Sequence, residues 1–514
     1  MPPAARLATV VVALCLGACG GGESPPPPMP ACAADGDCRR GFGCTAGECT
    51  PLPGNPPGAA CTTDADCSSR ACDSKTGTCQ ISCTRDAHCP DGATCFTNPV
   101  DTNGDGATDD IHPVCVALRA NAAAPGAPCA KPDDCARGTC ELGRCIPLCE
   151  SADDCGDAAL GCTGLFAMTD QGATKFKGCL PRRGVVDYDM GLGAGPLLGV
   201  PESAVSASLF IAEKRMDIGY YAGLSSLEDT NGFLYDVRTA YYSNSIRYQP
   251  LEGASFLVVS NSPLVALRPG TLYSFSPFAQ TRAGVNSDYR VRALLKLHDA
   301  PFTSGHVGVH VFITDLTGGC ATFNAANAAA ILGPWEQQMR TIFAAASITI
   351  DAFTYLDSGA ASSITVKEGA ASPELDNLLQ TATAPDAPGF LELVIVKRIS
   401  TANAPQGFEI LGIAGGIPAV SGIPGTPHSG AALALTSLCA DKTQVQFALT
   451  AAHELGHALG LFHNVEQDGQ RDQMNDNDGD GTSNLMYWAE NGGLTQPRIS
   501  PQQAAAMRAN PVVR

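Results

Sequence analysis

The cysteine pattern constrains this chain most. Of 24 cysteines in 514 residues, twenty lie between Cys32 and Cys179 and fall into five blocks of four. The blocks are Cys32/Cys38/Cys44/Cys49, Cys61/Cys67/Cys72/Cys79, Cys83/Cys89/Cys95/Cys115, Cys129/Cys135/Cys140/Cys145 and Cys149/Cys155/Cys162/Cys179. Every block opens with C-x5-C, and the second cysteine usually follows an acid, as in Asp37-Cys38, Asp66-Cys67, Asp134-Cys135 and Asp154-Cys155. Blocks two and three are joined by three residues, as are blocks four and five, and Pro-Gly-Ala precedes each pair. Modules this poor in apolar residues need covalent staples to hold a fold. A zinc ribbon would want closely spaced cysteine pairs together with histidines at matching positions in each block, which the array does not supply, so disulfides are expected. Four cysteines allow three pairings, and the sequence does not choose among them.

The array at 32–180 is similar to short extracellular cysteine-rich repeats, and both a stalk and a ligand-binding array fit it; the stalk is the plainer reading. The compartment follows from the N-terminus. Residues 1–18 read as a signal peptide, with Arg6 ahead of an apolar stretch, Leu7 to Leu16, too short to span a bilayer. Leu16-Gly17-Ala18-Cys19 resembles the bacterial lipobox, which implies cleavage before Cys19 and acylation of its thiol. Simple secretion with cleavage at Ala18 is the rival. Residues 19–31, glycines and then Pro25 to Pro28, form a flexible and then stiff tether. Gly20 after the lipidated cysteine resembles outer-membrane sorting, so the cell envelope is the expected location, with contact to the membrane only through the lipid anchor.

The second strong signal is His453-Glu454-Leu455-Gly456-His457-Ala458-Leu459-Gly460-Leu461-Phe462-His463. On a helix, His453 and His457 project from one face and can share a metal. Glu454 stands beside the first of them as a general base. Gly460 can take positive φ, letting the chain leave the helix and return His463 as a third ligand. Three protein ligands with an open fourth position describe a catalytic zinc, not a structural one. The helix is predicted from Gln444 to Leu459, with Ala448, Ala452, Leu455 and Leu459 as its core stripe.

This run, with Asn484-Leu485-Met486-Tyr487-Trp488 beyond it, resembles the metzincin metallopeptidases. The resemblance implies zinc on His453, His457 and His463, Glu454 as general base, and Met486 as an apolar floor under the metal. It implies hydrolysis of protein or peptide substrates by zinc-activated water. Asn464 departs from several metzincin families. Tyr487 directly follows Met486, as in matrixins, and is assigned to packing or to the substrate pocket rather than to the metal. Matrixin-like and pappalysin-like affinities are both open.

Two acidic loops, Asp101/Asn103/Asp105/Asp109 and Asp476/Asp478/Asp480, set oxygens at alternate positions before a glycine, as calcium requires. Neither carries the glutamate of an EF-hand, having His112 and Tyr487 at that place. A solvated acidic turn competes evenly with calcium for the first loop; calcium is favoured for the second. Cys320 and Cys439 are expected to bridge.

The fold class is multidomain: the disulfide-rich array, a β-sandwich over 185–300, and an α/β catalytic domain over 305–514 with a mixed sheet and active-site helix. Val307 to Ile313, Ile348 to Tyr355 and Leu391 to Ile399 read as strands, and Ala325 to Ala346 as one helix. His306 and His310 share a strand face, as ordinary strand histidines. A net charge of −19 argues against nucleic acid or an anionic membrane surface as partner. Two functions compete: a surface-anchored zinc endopeptidase, and an adhesion or scaffold lipoprotein whose array binds a partner beside an inert peptidase domain.

Overall fold

The computed structural model describes residues 42–514 except 70, 74–75, 101–107, 109, 120–121, 171, 194–196, 240–243, 249, 260, 263, 367–371, 385–388, 402–409, 424, 439–442, 475–480 and 490–495. The leader, the tether with Cys19, both acidic loops (Asp101, Asn103, Asp105 and Asp109; Asp476, Asp478 and Asp480) and Cys439 lie outside the described residues. The chain divides into two compact units, one ending at Cys79 and one running from Gln80 to Arg514.

Each fully described cysteine block has the same wiring, first to third and second to fourth. The bridges are Cys61–Cys72 and Cys67–Cys79 in the first unit. In the second they are Cys83–Cys95, Cys89–Cys115, Cys129–Cys140, Cys135–Cys145, Cys149–Cys162 and Cys155–Cys179. The cause is a shared local shape. A one-turn 3-10 helix leads to the second cysteine or ends on it, as at Asp64–Asp66, Pro132–Asp134 and Ala152–Cys155. A hairpin then sets the third and fourth cysteines opposite each other, Cys72 facing Cys79 and Cys140 facing Cys145. Both therefore reach back to the turn.

The acid before the second cysteine builds that turn. Asp66 Oδ2 accepts the N–H groups of Thr62 and Thr63, both at 2.8 Å. Asp154 does the same for Glu150 and Ser151, both at 2.9 Å. The N–H groups of Thr62 and Thr63 hold the Asp66 carboxyl down to about 2. Burial opposes the shift at Asp154, but the Ser151 and Glu150 N–H groups and the Arg85 guanidinium bring it down to about 2 as well.

The stalk expectation does not describe blocks four and five. Leu142, Ile146, Leu165 and Leu180 are buried in one cluster with Val186, Leu198 and Val200 of the following sandwich. Their apolar residues finish a neighbour's core, so these blocks are part of a compact body.

The sandwich comprises β1 (Arg183–Leu192), β2 (Leu197–Gly199), β3 (Ala204–Glu213), β4 (Tyr221–Asp229), β5 (Gly232–Asp236), β6 (Ala254–Val259), β7 (Leu272–Gln280) and β8 (Tyr289–His298). Two antiparallel sheets, ordered β1-β8-β3-β6 and β2-β7-β4-β5, share a core that includes Leu209, Val291, Leu224 and Phe275. The first sheet is buried on its outer face too. There Phe210, Phe256 and Leu294 pack against Val420, Ile423 and Ala509 of the C-terminal region. This explains the nearly unbroken burial along β3 and β6, where one exposed face would give alternation.

The C-terminal region is a five-stranded mixed sheet ordered β10-β9-β11-β13-β12. Strands β9 (Gly305–Ile313), β10 (Ile348–Asp357), β11 (Phe390–Val396) and β13 (Ala431–Ala434) are parallel, and β12 (Gly412–Ala414) is an antiparallel edge. The predicted single helix is two, α1 (Ala325–Ile331) and α2 (Gly333–Ala345). Pro334 has no N–H to continue the first helix and suits the first turn of the second. Helices α2 and α4 (Gln444–Ala458) cover one face of the sheet around Val309, Trp335, Phe447 and Leu455. Helix α3 (Pro373–Thr381) covers the other, around Phe312, Leu379 and Val394. His310 is buried and stacked on Phe390 at 4.0 Å, and exposed His306 pairs with Asp351 at 2.9 Å.

Candidate metal centre

Helix α4 starts at a reciprocal cap, Thr443 Oγ1 accepting from Gln446 N–H and Gln446 Oε1 from Thr443 N–H. Its buried stripe of Phe447, Ala448, Ala451, Ala452 and Leu455 fixes its rotation against the sheet. His453 and His457 are thereby held on the neighbouring edge. At Gly460, φ is 106°, which a side chain would resist, and the chain turns back to bring in His463.

The three rings converge, and their second nitrogens show how. His453 Nδ1 is 2.7 Å from Leu485 O, His457 Nδ1 is 2.7 Å from Leu461 O, and His463 Nδ1 is 2.8 Å from Glu466 Oε2. Each neighbour is an acceptor, so each Nδ1 carries the proton and each Nε2 keeps its lone pair. One ligand atom from each residue lies within 4.8 Å of the others, and His457 Nε2 is 3.2 Å from His463 Nε2. Two nitrogens on a tetrahedral zinc at its usual bond length would be about 3.3 Å apart. Burial pushes His453 down to about 4 and His457 well below the ordinary imidazole range, so both rings are neutral. This donor set fits zinc.

Glu454 lies at the inner wall. Burial pushes its carboxyl up to about 8, against the Ala414 N–H that hydrogen-bonds to it. Edge strand β12 crosses directly over it: a Cβ on Gly412 would come within 2.6 Å of Glu454 Cγ.

Met486 is fully buried against helix α4. A Cβ on Gly456 would meet Met486 Sδ at 2.7 Å, so the glycine between the two helical histidines makes room for the sulfur. Asn484 Oδ1 accepts the Met486 N–H at 2.8 Å, and Asn464 N–H donates to Met486 O at 3.1 Å. Asn484 and Gln503 also exchange two amide hydrogen bonds, at 3.1 and 2.9 Å, tying the turn to α5 (Pro501–Ala509). The roles of Gly456, Asn464, Asn484 and Gln503 were missed in the sequence. Only Ser500-x-x-Gln503, a capping signature, pointed that way.

His453, His457 and His463 therefore come together, with Glu454 next to His453 on the same helix and the Met486 sulfur against Gly456. Cys320 is in a disulfide whose partner lies outside the described residues. No protein-family model matches the chain, and no curated protein matches it in sequence. Among solved structures it is similar to metalloproteinase-II from Bacteroides fragilis, at 16% identity and a TM-score of 0.25, over 44% of this chain and 63% of that one. It is also similar to a family two carbohydrate esterase from Clostridium thermocellum in complex with cellohexaose, at 12% identity and a TM-score of 0.11, over 42% of this chain and 59% of that one. The chain thus spans less than two thirds of either. Scores this low decide neither fold nor activity.

Proposed function

We propose that this chain is a zinc-dependent endopeptidase of metzincin type. One observation carries the reading: three imidazoles, each locked through Nδ1 by a protein acceptor, converge at the end of the helix that carries Glu454. A bound zinc would supply Lewis acidity toward a scissile carbonyl and toward water. Glu454 takes a proton from the attacking water and returns it to the leaving amine. Edge strand β12 offers backbone groups beside Glu454, along which an extended peptide can align.

The reading includes a place outside the cytoplasm, on a lipid carried by Cys19. The eight described disulfides fit an oxidising compartment. No helix among the described residues is long and apolar enough to cross a membrane.

The test is zinc content and cleavage of a broad peptide library by the full chain and by Glu454→Ala. One zinc per chain, and cleavage that disappears in the variant while zinc stays, is expected. Cleavage that survives the substitution, or full zinc with no cleavage, refutes it.

A further inference from the structure

His463 differs from its two partners in what holds it. His453 and His457 ride on a packed helix, whereas His463 follows Gly460 on a stretch with no regular helix. A ligand on a loop keeps its geometry only if neighbours fix the loop. The neighbours here come from residues 244–262 of the sandwich, on both sides of β6.

Three contacts reach from that segment onto residues 460–473. The Arg247 guanidinium lies over the Phe462 ring, 3.9 Å from its centroid, and both residues are buried. The Arg247 carbonyl accepts the Asn261 side-chain N–H at 2.6 Å, and a Cβ on Gly460 would sit 3.8 Å from Asn261 Cβ. Gln473 Nε2 donates to Asn244 O at 2.8 Å, and Ser262 Oγ donates to Gln473 Oε1 at 3.3 Å. Phe462 lies between Leu461, whose carbonyl orients His457, and His463 itself. Any sliding of Phe462 therefore moves two ligands at once. A desolvated guanidinium on an aromatic face is among the stronger contacts of its kind.

We propose that Arg247 is a positioning residue for the metal centre: through Phe462 the sandwich clamps the turn bearing the third ligand, so metal affinity is a joint property of both folds. The inference rests on the zinc reading above, and its test does not use peptide cleavage.

Zinc affinity of the full chain is measured by competition with a chromophoric chelator, and the cobalt-substituted protein is followed by its visible absorption. Arg247→Ala, Arg247→Lys and Gln473→Ala are compared with the parent, with thermal unfolding of the metal-free proteins as the folding control. Arg247→Ala is expected to weaken zinc binding by about tenfold or more and to alter the cobalt bands, the usual size of such supporting effects. Arg247→Lys, which keeps the cation on the ring, recovers part of the loss. Gln473→Ala shows a smaller loss of the same kind. Parental zinc affinity and cobalt bands in Arg247→Ala overturn the proposal. If Arg247→Ala does not fold, unchanged affinity in Gln473→Ala overturns it. A parent chain that binds no zinc defeats the endopeptidase reading, and this inference with it.

Discussion

The cysteine blocks and the metal centre solve the same problem, a small set of side chains held in fixed geometry, by opposite means. In a block every determinant is local. Bridged cysteines are 10 to 26 residues apart, and the acid that shapes the turn immediately precedes a cysteine in most blocks. At the candidate metal centre the three histidines span eleven residues of sequence, yet the supports of the site come from Ala414, Leu485, Gln503 and, in the sandwich, Arg247. A covalent bond needs little help from its surroundings, because it stabilises chiefly by restricting the unfolded chain. A metal site has no such bond before the ion arrives, so folding must bring its ligands together beforehand.

The sharpest way to break this contrast is to remove one ligand. His457→Ala should abolish zinc retention and lower peptide cleavage by at least about a hundredfold, with every disulfide still present by mass spectrometry. A variant that keeps its zinc would show that the centre is not the three-imidazole site described. The reciprocal change is Cys61→Ser with Cys72→Ser. Loss of that bridge should cost the block about 3 kcal/mol and speed proteolysis within 61–79, with zinc affinity unchanged.

A smaller effect sharpens the non-local side. Gly456→Ala forces the Met486 sulfur to move, and overpacking of this kind costs about 1–3 kcal/mol. Calorimetry should register it even without metal; an unchanged unfolding temperature would mean that Met486 is free to shift. The smallest effect belongs to the capped turns. The folded pKa of Asp66 is depressed to about 2, so the unfolded chain binds its proton first as pH falls. Its contribution is complete above the ordinary carboxylate range and fades as pH drops toward about 2. Protection of the Thr62 and Thr63 amides, taken as exchange relative to the intrinsic rate at each pH, should fall over that window, and Asp66→Asn should flatten the profile. Protection that does not change with pH there would remove the aspartate from the turn.

What could be read in advance follows the same division. The spacing of His453, His457, Gly460 and His463 pointed to the three imidazoles that the fold brings together, because helical periodicity and one turn residue are enough to make them converge. Repeated C-x5-C specified stapled modules. The 1–3, 2–4 pairing was not legible, since it depends on how far a hairpin folds back. The stalk reading failed for blocks four and five because Leu142, Ile146, Leu165 and Leu180 look incidental until the sandwich core they complete is seen.

The sequence alone thus determined which imidazoles converge and which cysteines share a block, since both depend on neighbours within a few turns of chain. Only the tertiary structure decided what holds them. Gly456 under Met486, Gln503 behind Asn484 and Arg247 over Phe462 join residues brought together by packing, and linear spacing carries no trace of contacts that arise only when separate cores close on each other.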